Sequence, residues 1–314
     1  MKEVRANIEL SDVNQVFDYS YSESGKEWLR QKARKSDKIL EISPGLMPIC
    51  RKEDFPDLYY IDVYEEDFLK SRASTTPGLD TNMGEDGILK VAKLDMVMGT
   101  RTFRQTINDF GLKNANLILA SHVFEHIPDP IEFLRVCGNV LNDGAELCMI
   151  VPDKRFCFDL YRPVTTFGEW YEAFAEERTI NSLRSRVDVA FYNASLDNRG
   201  AWPRSEFARA TLNPITASKP LKDTLKSYLD AKEYFDCHAS VMTPESIHLN
   251  LIECFLLDLI ELHVEEVKSF DNDIGLVLRK KVSNKKDSIL LDRLHWLRIA
   301  LLRNLYQNEQ NYFK

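Results

Sequence analysis

The chain lacks an excess of positive charge: 41 Lys and Arg stand against 49 Asp and Glu, a formal net charge of −8. Nonspecific nucleic-acid binding needs a cationic surface that releases counterions, so no nucleic-acid partner is expected. No uninterrupted apolar run reaches membrane-spanning length. The opening residues, MKEVRANIELSDVNQ, carry no apolar core flanked by basic residues. Neither a span nor a signal peptide is therefore expected, and the expected location is cytoplasmic. The cysteines Cys50, Cys137, Cys148, Cys157, Cys237 and Cys254 are scattered without a CxxC pair. That argues against structural zinc and for reduced, mostly buried thiols. Internal repeats and low-complexity tracts are also missing.

What is present is a chain of 314 residues, 44% hydrophobic, long enough for one full core with an elaboration beside it. Residues 1–37 read as polar helix and loop. From Lys38 onward, short apolar runs alternate with helical segments, the pattern of a parallel sheet covered on both faces. The expected strands are Lys38–Ile42, Leu58–Val63, Ile88–Leu94, Asn116–Ser121, Glu146–Val151, Val264–Phe270 and Ile274–Arg279. The expected fold is thus a Rossmann-like, seven-stranded, mostly parallel α/β sheet in a domain spanning 38–283. A helix Pro130–Leu141 and an Asn142-Asp143-Gly144 turn separate the fourth and fifth strands. A polar, helix-rich insertion over about 159–236 is too long for a simple crossover and is expected to cover the active-site end. A helix over Thr243–Leu262 is expected to start from Thr243 as N-cap with Pro244 in its first turn. Residues 284–314 carry a helix whose leucines and isoleucines nearly encircle it, with Arg293, Arg298 and Arg303 at intervals of five. Such a helix must bury itself, on the core or against a partner subunit. Its basic side also suits an anionic membrane surface.

Three segments carry the chemistry. In KILEISPGLMPI, the first strand ends in Glu41 and runs into a bend of Ser43, Pro44 and Gly45. Ligands of doubly wound folds sit at such strand ends, and a glycine lets backbone approach them. Only one glycine stands in the bend, so GxGxxG is not met. The second strand, LYYIDV, places Asp62 near its end. A carboxylate there accepts both hydroxyls of a ribose and repels a 2′-phosphate, which indicates an unphosphorylated adenosine-type nucleoside. Asp95, after the third expected strand, is placed to meet an adenine amino group. The third segment, ASHVFEHIPDPIEFLRVCGNVLNDGAELCMIVPDKR, reads as strand, polar turn, helix, turn and strand.

With these residues in view, the stretch from Lys38 to about Arg162 resembles class I S-adenosylmethionine-dependent methyltransferases. That group carries E-x-G-x-G after strand one and h-x-x-E-H-h-x-D/N-P after strand four, which stand here as EISPG and HVFEHIPDP. Within the group the chain is similar to enzymes associated with bacterial surface-polysaccharide biosynthesis. Their later segments stand here as DKRFCFDLYRP (Asp153–Pro163) and DCHASVMTPES (Asp236–Ser246). Ser43 departs from the glycine usual at its position. The resemblance implies S-adenosyl-L-methionine as cofactor, with Glu41, Ser43 and Gly45 at its methionine end. It implies Asp62 on the ribose, Asp95 on the adenine, and Ser121 and His122 under the sulfonium. The implied reaction is methyl transfer to a sugar hydroxyl, or to a phosphate, of a glycan or its precursor.

A hydroxyl acceptor needs a base, and histidine's pKa suits that role. His238 is the first candidate, with His126 and His122 after it. Lys154, Arg155 and Arg162 are candidates to clamp a phosphate or carboxylate of the acceptor, although Asp153 and Asp159 beside them offer internal ion pairs instead. HVFEH also matches a zinc-protease pattern, but that mechanism needs one long helix presenting both histidines. Here the segment follows a strand and meets Pro128, so no metal is expected. The aromatic residues of the insertion, Trp170 and Trp202 among them, read as a small core. Two other functions compete. A dehydrogenase or epimerase using NAD would need a three-glycine loop. A catalytically inactive methyltransferase-like scaffold would dock a glycosyltransferase through the C-terminal helix, which also suits a homodimer or a peripheral membrane contact.

Overall fold

Strands that are apolar on both faces are stable only between two layers of helix. The computed structural model, which describes residues 17–18, 24–73, 92–209, 211–212, 226, 235–282 and 288–311, places them there. The strands are β1 (Phe17–Asp18), β2 (Lys38–Ile42), β3 (Asp57–Asp62), β4 (Met96–Val97), β5 (Ala115–Ser121), β6 (Leu141–Pro152), β7 (Ala194–Ser195), β8 (Thr211–Leu212), β9 (Leu262–Ser269) and β10 (Asp273–Lys280). The helices are α1 (Gly25–Ala33), α2 (Glu66–Ala73), α3 (Phe103–Phe110), α4 (Pro130–Val140), α5 (Phe167–Ala175), α6 (Leu183–Tyr192), α7 (Pro244–Leu256) and α8 (Ser288–Asn311).

The main sheet has eight strands in the order β1-β9-β10-β6-β5-β2-β3-β4. Strands β4, β3, β2, β5 and β6 run parallel, and β10 is antiparallel to both β6 and β9. This is a Rossmann-like α/β fold. Chain order runs outward in both directions from the β2–β5 pair, so the crevice between their carboxyl ends is the switch point where ligands bind in such sheets. Alternate residues feed two cores: Ile39, Leu117, Leu119, Cys148 and Ile150 pack with Trp28 and Leu29 of α1. Leu40, Ile118, Ala120, Leu147 and Met149 pack with α4 and α7 on the other face.

Local chemistry explains the helix starts. Asp129 caps α4, accepting the Glu132 amide at 2.9 Å, with Pro130 at the first position. Thr243 and Ser246 cap α7 reciprocally, again with proline in the first turn.

Several expectations are corrected. Residues 88–91 of the expected third strand lie outside the described residues, 92–94 are not strand, and the strand found is Met96–Val97 beside Ile61 and Asp62. The Asn142-Asp143-Gly144 segment does not end a helix–strand turn but lies inside β6. Pairing jumps from Ala115–Leu141 to Leu117–Glu146, so these residues form a bulge in which Gly144 takes φ 76°. Helix α7 stops at Leu256 rather than Leu262, because Asp258 turns to positive φ. The edge pair Phe17–Asp18, on Val267 and Lys268, has no apolar pattern to announce it.

Between β6 and α7 the chain forms α5, α6 and the ribbon β7–β8. Trp170 of α5 meets Phe124 edge-on at 5.4 Å and donates from its ring N–H to Ser240 Oγ at 3.0 Å. Trp202 packs with Phe156, Ala194 and Leu196. Helix α8 packs on α7 through Leu294 and Leu301, and Arg298 pairs with Glu253 at 2.7 Å. Its opposite side, Ile289, Trp296, Ile299, Leu302 and Tyr306, is exposed, so only one face of the apolar helix is covered among the described residues. Among the described residues, no helix is long and apolar enough to cross a membrane.

Candidate active site

The bend after β2 is held by two acids. Glu41, 1% exposed, accepts the amides of Ile49 (2.7 Å) and Cys50 (3.1 Å). Burial raises its pKa to about 7, against the lowering effect of those two amides. Both its oxygens accept amides of the loop that follows the bend. Ser43 turns to φ 50° and donates its amide to Ile61 O at 2.7 Å; Gly45 follows at φ 52°. Asp62, 4% exposed at the end of β3, accepts Gly45 N–H at 3.3 Å on one oxygen and Tyr64 N–H at 3.1 Å on the other. Burial raises its pKa, and the amides oppose that shift.

Asp95 is engaged elsewhere. Its carboxylate receives Lys52 Nζ at 2.6 Å and the Tyr60 amide at 2.8 Å, level with a residue two positions before Asp62. The residues alongside Asp62 are Met98, whose amide donates to Asp62 O at 2.8 Å, and Gly99, bonded to Val63 O at 3.2 Å. The third strand lies later than the sequence suggests, so Asp95 immediately precedes it and residues 98–100 follow it.

The second wall is the turn after β5. Ser121 is half-buried at the strand end, and His122, at φ 54°, donates its amide to Ile150 O at 2.9 Å. A single 3-10 turn, Phe124–His126, follows, anchored by fully buried Phe124. This turn points Glu125 inward, 1% exposed, with His122 and His126 beside it. Glu125 Oε1 lies 3.5 Å from His122 Nδ1 and 3.8 Å from His126 Nε2. His122 also faces Asp273 at 3.6 Å from the start of β10. Desolvation opposes charge on His122, but the facing carboxylates of Asp273 and Glu125, which accept from the ring, prevail and raise its pKa to about 10. Glu125's pKa is lowered: burial pushes it up, while the three surrounding histidines more than offset that.

Two distant segments complete the cluster. Asp159, 1% exposed, binds Arg162 at 2.7 Å and His238 Nδ1 at 2.5 Å, and these two partners hold its pKa down despite burial. Arg162 also donates to the His238 carbonyl at 2.9 Å. The amides of Ala239 and Ser240 donate to Glu125 O at 2.6 and 3.0 Å, tying the His238 loop to the turn after β5. His126 and His238 meet edge-on, their ring centres 4.8 Å apart, and His126 Nδ1 lies 2.9 Å from Asp236.

Of the residues expected from sequence, the structure brings His122, His126 and His238 together, with Ser121 beside them. Each of the three expected clamp residues has an internal partner. Arg155 pairs with Asp153 at 2.5 Å, Arg162 with Asp159, and Lys154 donates to Leu160 O at 2.7 Å. Sequence reasoning met Glu125, the centre of the cluster, only as the base of the zinc-protease pattern that it set aside, and used Asp159 only as an ion-pair partner. Glu125 sits inside HVFEH, where its neighbours are a visible signal. Asp159 and His238 are 79 residues apart and no spacing links them.

No protein-family model and no curated protein sequence matches this chain. Among solved structures it is similar to an S-adenosylmethionine dependent methyltransferase from Mesorhizobium loti, at 14% identity and TM-score 0.38, over 81% of this chain and 98% of that one. It is also similar to the CcbJ methyltransferase from Streptomyces caelestis, at 12% identity and TM-score 0.40, over 82% and 90%. A structure from Nostoc punctiforme is matched over 81% of this chain but only 55% of its own length, at 10% identity and TM-score 0.35. Likeness this low ties the chain to none of them, and the functional reading rests on the site itself.

Proposed function

We propose that this chain is an S-adenosylmethionine-dependent methyltransferase acting on a hydroxyl or phosphate oxygen of a glycan or its precursor. The observation that carries the reading is buried Asp62 beside the Gly45 bend at the switch point, with a histidine cluster at the end of the neighbouring strand. The group fits the residues present. Each Asp62 oxygen receives one amide and keeps a lone pair, enough for the two hydroxyls of a ribose. A Cβ added at Gly45 would meet only Ser43 O, at 3.9 Å, so the bend leaves open room for a ligand at its turn.

When bound, S-adenosylmethionine supplies a methyl group on a sulfonium. Asp62 would hold its ribose, Ser43 and Gly45 its methionine end, residues 98–100 its adenine edge, and Ser121 and His122 the sulfonium region. Glu41 keeps the bend in shape. The acceptor oxygen forms the new C–O bond as the S–C bond breaks, with the electron pair retained by sulfur and a proton leaving the acceptor. Such in-line displacement depends chiefly on alignment. His238, with Nδ1 held by Asp159, has Nε2 left for the acceptor side, and through it the site handles that proton. Arg155 and Arg162 act on the walls, fixing Asp153 and Asp159.

The glycan acceptor is supported by the later matched segments, because Asp159 of DKRFCFDLYRP and His238 of DCHASVMTPES meet in one buried pair. Calorimetric titration with S-adenosylmethionine, S-adenosylhomocysteine and NAD tests the reading. The two adenosyl ligands are expected to bind and NAD is not; binding of NAD alone would overturn the proposal.

A further inference from the structure

Glu125, His126 and His238 each present one ligand-type atom, and these atoms lie within 4.8 Å of one another. The sequence argument against a metal concerned a long helix bearing both histidines of HVFEH. The structure supplies a different pair: His126 from the turn after β5 and His238 from a loop more than a hundred residues later. We propose that Glu125, His126 and His238 form a binding site for a divalent transition-metal ion of the zinc class, which activates the acceptor hydroxyl. This deepens the methyltransferase reading and rests on it for the role of the metal, though not for its binding.

Three observations carry the site. The first is donor chemistry: two imidazoles and one carboxylate suit zinc-like ions, whereas magnesium and calcium prefer an all-oxygen set. The second is orientation. His238 Nδ1 bonds Asp159 at 2.5 Å, which leaves Nε2 as its ligand atom, while His126 Nδ1 lies 2.9 Å from Asp236 without a well-aligned hydrogen bond. His126 Nε2 faces Glu125. Carboxylates behind metal-binding histidines fix tautomer and ring direction in this way. The third is an orphan. Glu125 Oε2 is buried with no hydrogen-bond partner, in a residue 1% exposed. A buried carboxylate oxygen without a donor is costly, and a cation beside it removes that cost. Bonds of about 2.0–2.2 Å require the donors, now within 4.8 Å of one another, to draw together by more than about an ångström through side-chain rotation, while the Ala239 and Ser240 amides hold the two loops together.

On such a centre the acceptor hydroxyl coordinates through oxygen and loses its proton to solvent. The resulting alkoxide takes the methyl as the S–C bond breaks, and no oxidant or reductant is involved. With the metal bound, His238 serves as a ligand oriented by Asp159 and no longer takes the acceptor's proton itself, a role that belongs to the metal-free site.

The test uses the full chain, stripped with chelator and titrated calorimetrically with zinc chloride, with cobalt(II) as a visible-absorption probe. One equivalent per chain is expected. Glu125→Gln and His126→Ala are each expected to weaken binding at least tenfold, and Asp62→Ala is expected to leave it unchanged. Cobalt should give the intense visible bands of a low-coordinate nitrogen/oxygen site. Absence of stoichiometric binding, or binding indifferent to both Glu125→Gln and His126→Ala, would overturn the proposal. Should either variant fail to fold, the other together with the wild-type cobalt spectrum decides. Titration with S-adenosylhomocysteine on the same samples separates loss of the metal site from failure of the methyltransferase reading.

Discussion

At the scale of single residues, the bend after β2 shows how a departure from an expected pattern is accommodated. Ser43 adopts φ 50°, a conformation that favours glycine and costs a residue with a Cβ about 1–2 kcal/mol. The conformation is kept because its amide bonds Ile61 O and because Glu41 and Asp62 grip the loop on either side. Ser43→Gly is therefore expected to preserve cofactor affinity and to leave stability equal or higher by up to about 1 kcal/mol, offset in part by the entropy glycine gains when unfolded. Ser43→Val should strain the bend and weaken binding. Thermal unfolding and calorimetry on the two variants check this; a valine variant that binds as well as wild type would show that the turn is not needed.

At the scale of elements, each helix is secured by one apolar face, and α8 is the plainest case. Leu301 is fully buried against the α7 side of the core, so Leu301→Ala is expected to cost about 2–5 kcal/mol. The Arg298–Glu253 pair, partly exposed, contributes at most about 1 kcal/mol. Urea unfolding of Leu301→Ala and Arg298→Ala should rank them in that order. The elements were legible in sequence wherever burial on two faces left an unbroken apolar run, as in β2, β5 and β6. They were illegible where pairing is short. Met96–Val97 and Phe17–Asp18 are two-residue strands whose existence depends on a neighbour already in place. The same limit applies to the site. His122, Glu125 and His126 sit in one turn and can be read together, whereas the Asp159–His238 pair exists only after the insertion has folded.

At the scale of the whole molecule, buried ionisable groups oppose one another in their response to pH. Burial lowers the pKa of His248 in α7 to about 4. Its unfolded form therefore binds the extra proton between about pH 6.5 and 4, and stability contributed by the neutral ring is lost as pH falls through that window. The full effect is on the order of 3 kcal/mol. Glu41 works in the other direction. With its pKa raised to about 7, the native state holds more protons than the unfolded chain between about pH 4.5 and 7, so its contribution is lost as pH rises. The two slopes offset each other between about pH 4.5 and 6.5. Glu41→Gln removes one of them, so its unfolding free energy should fall more steeply on acidification than that of wild type. Urea unfolding at several pH values checks the difference; parallel profiles would mean that Glu41 titrates as an ordinary carboxylate.

The topology, the bend and the histidine cluster acquire a common purpose only if an adenosyl ligand lies across the β2–β5 crevice with its ribose on Asp62. The direct measurement is calorimetry of S-adenosylhomocysteine binding to wild type and Asp62→Ala, with Asp62→Asn as the isosteric control. Loss of two charge-assisted hydrogen bonds, each worth about 1.5–3 kcal/mol, predicts weakening by at least about a hundredfold in the alanine variant and a smaller loss in the asparagine variant. Equal affinity in wild type and Asp62→Ala would contradict the account.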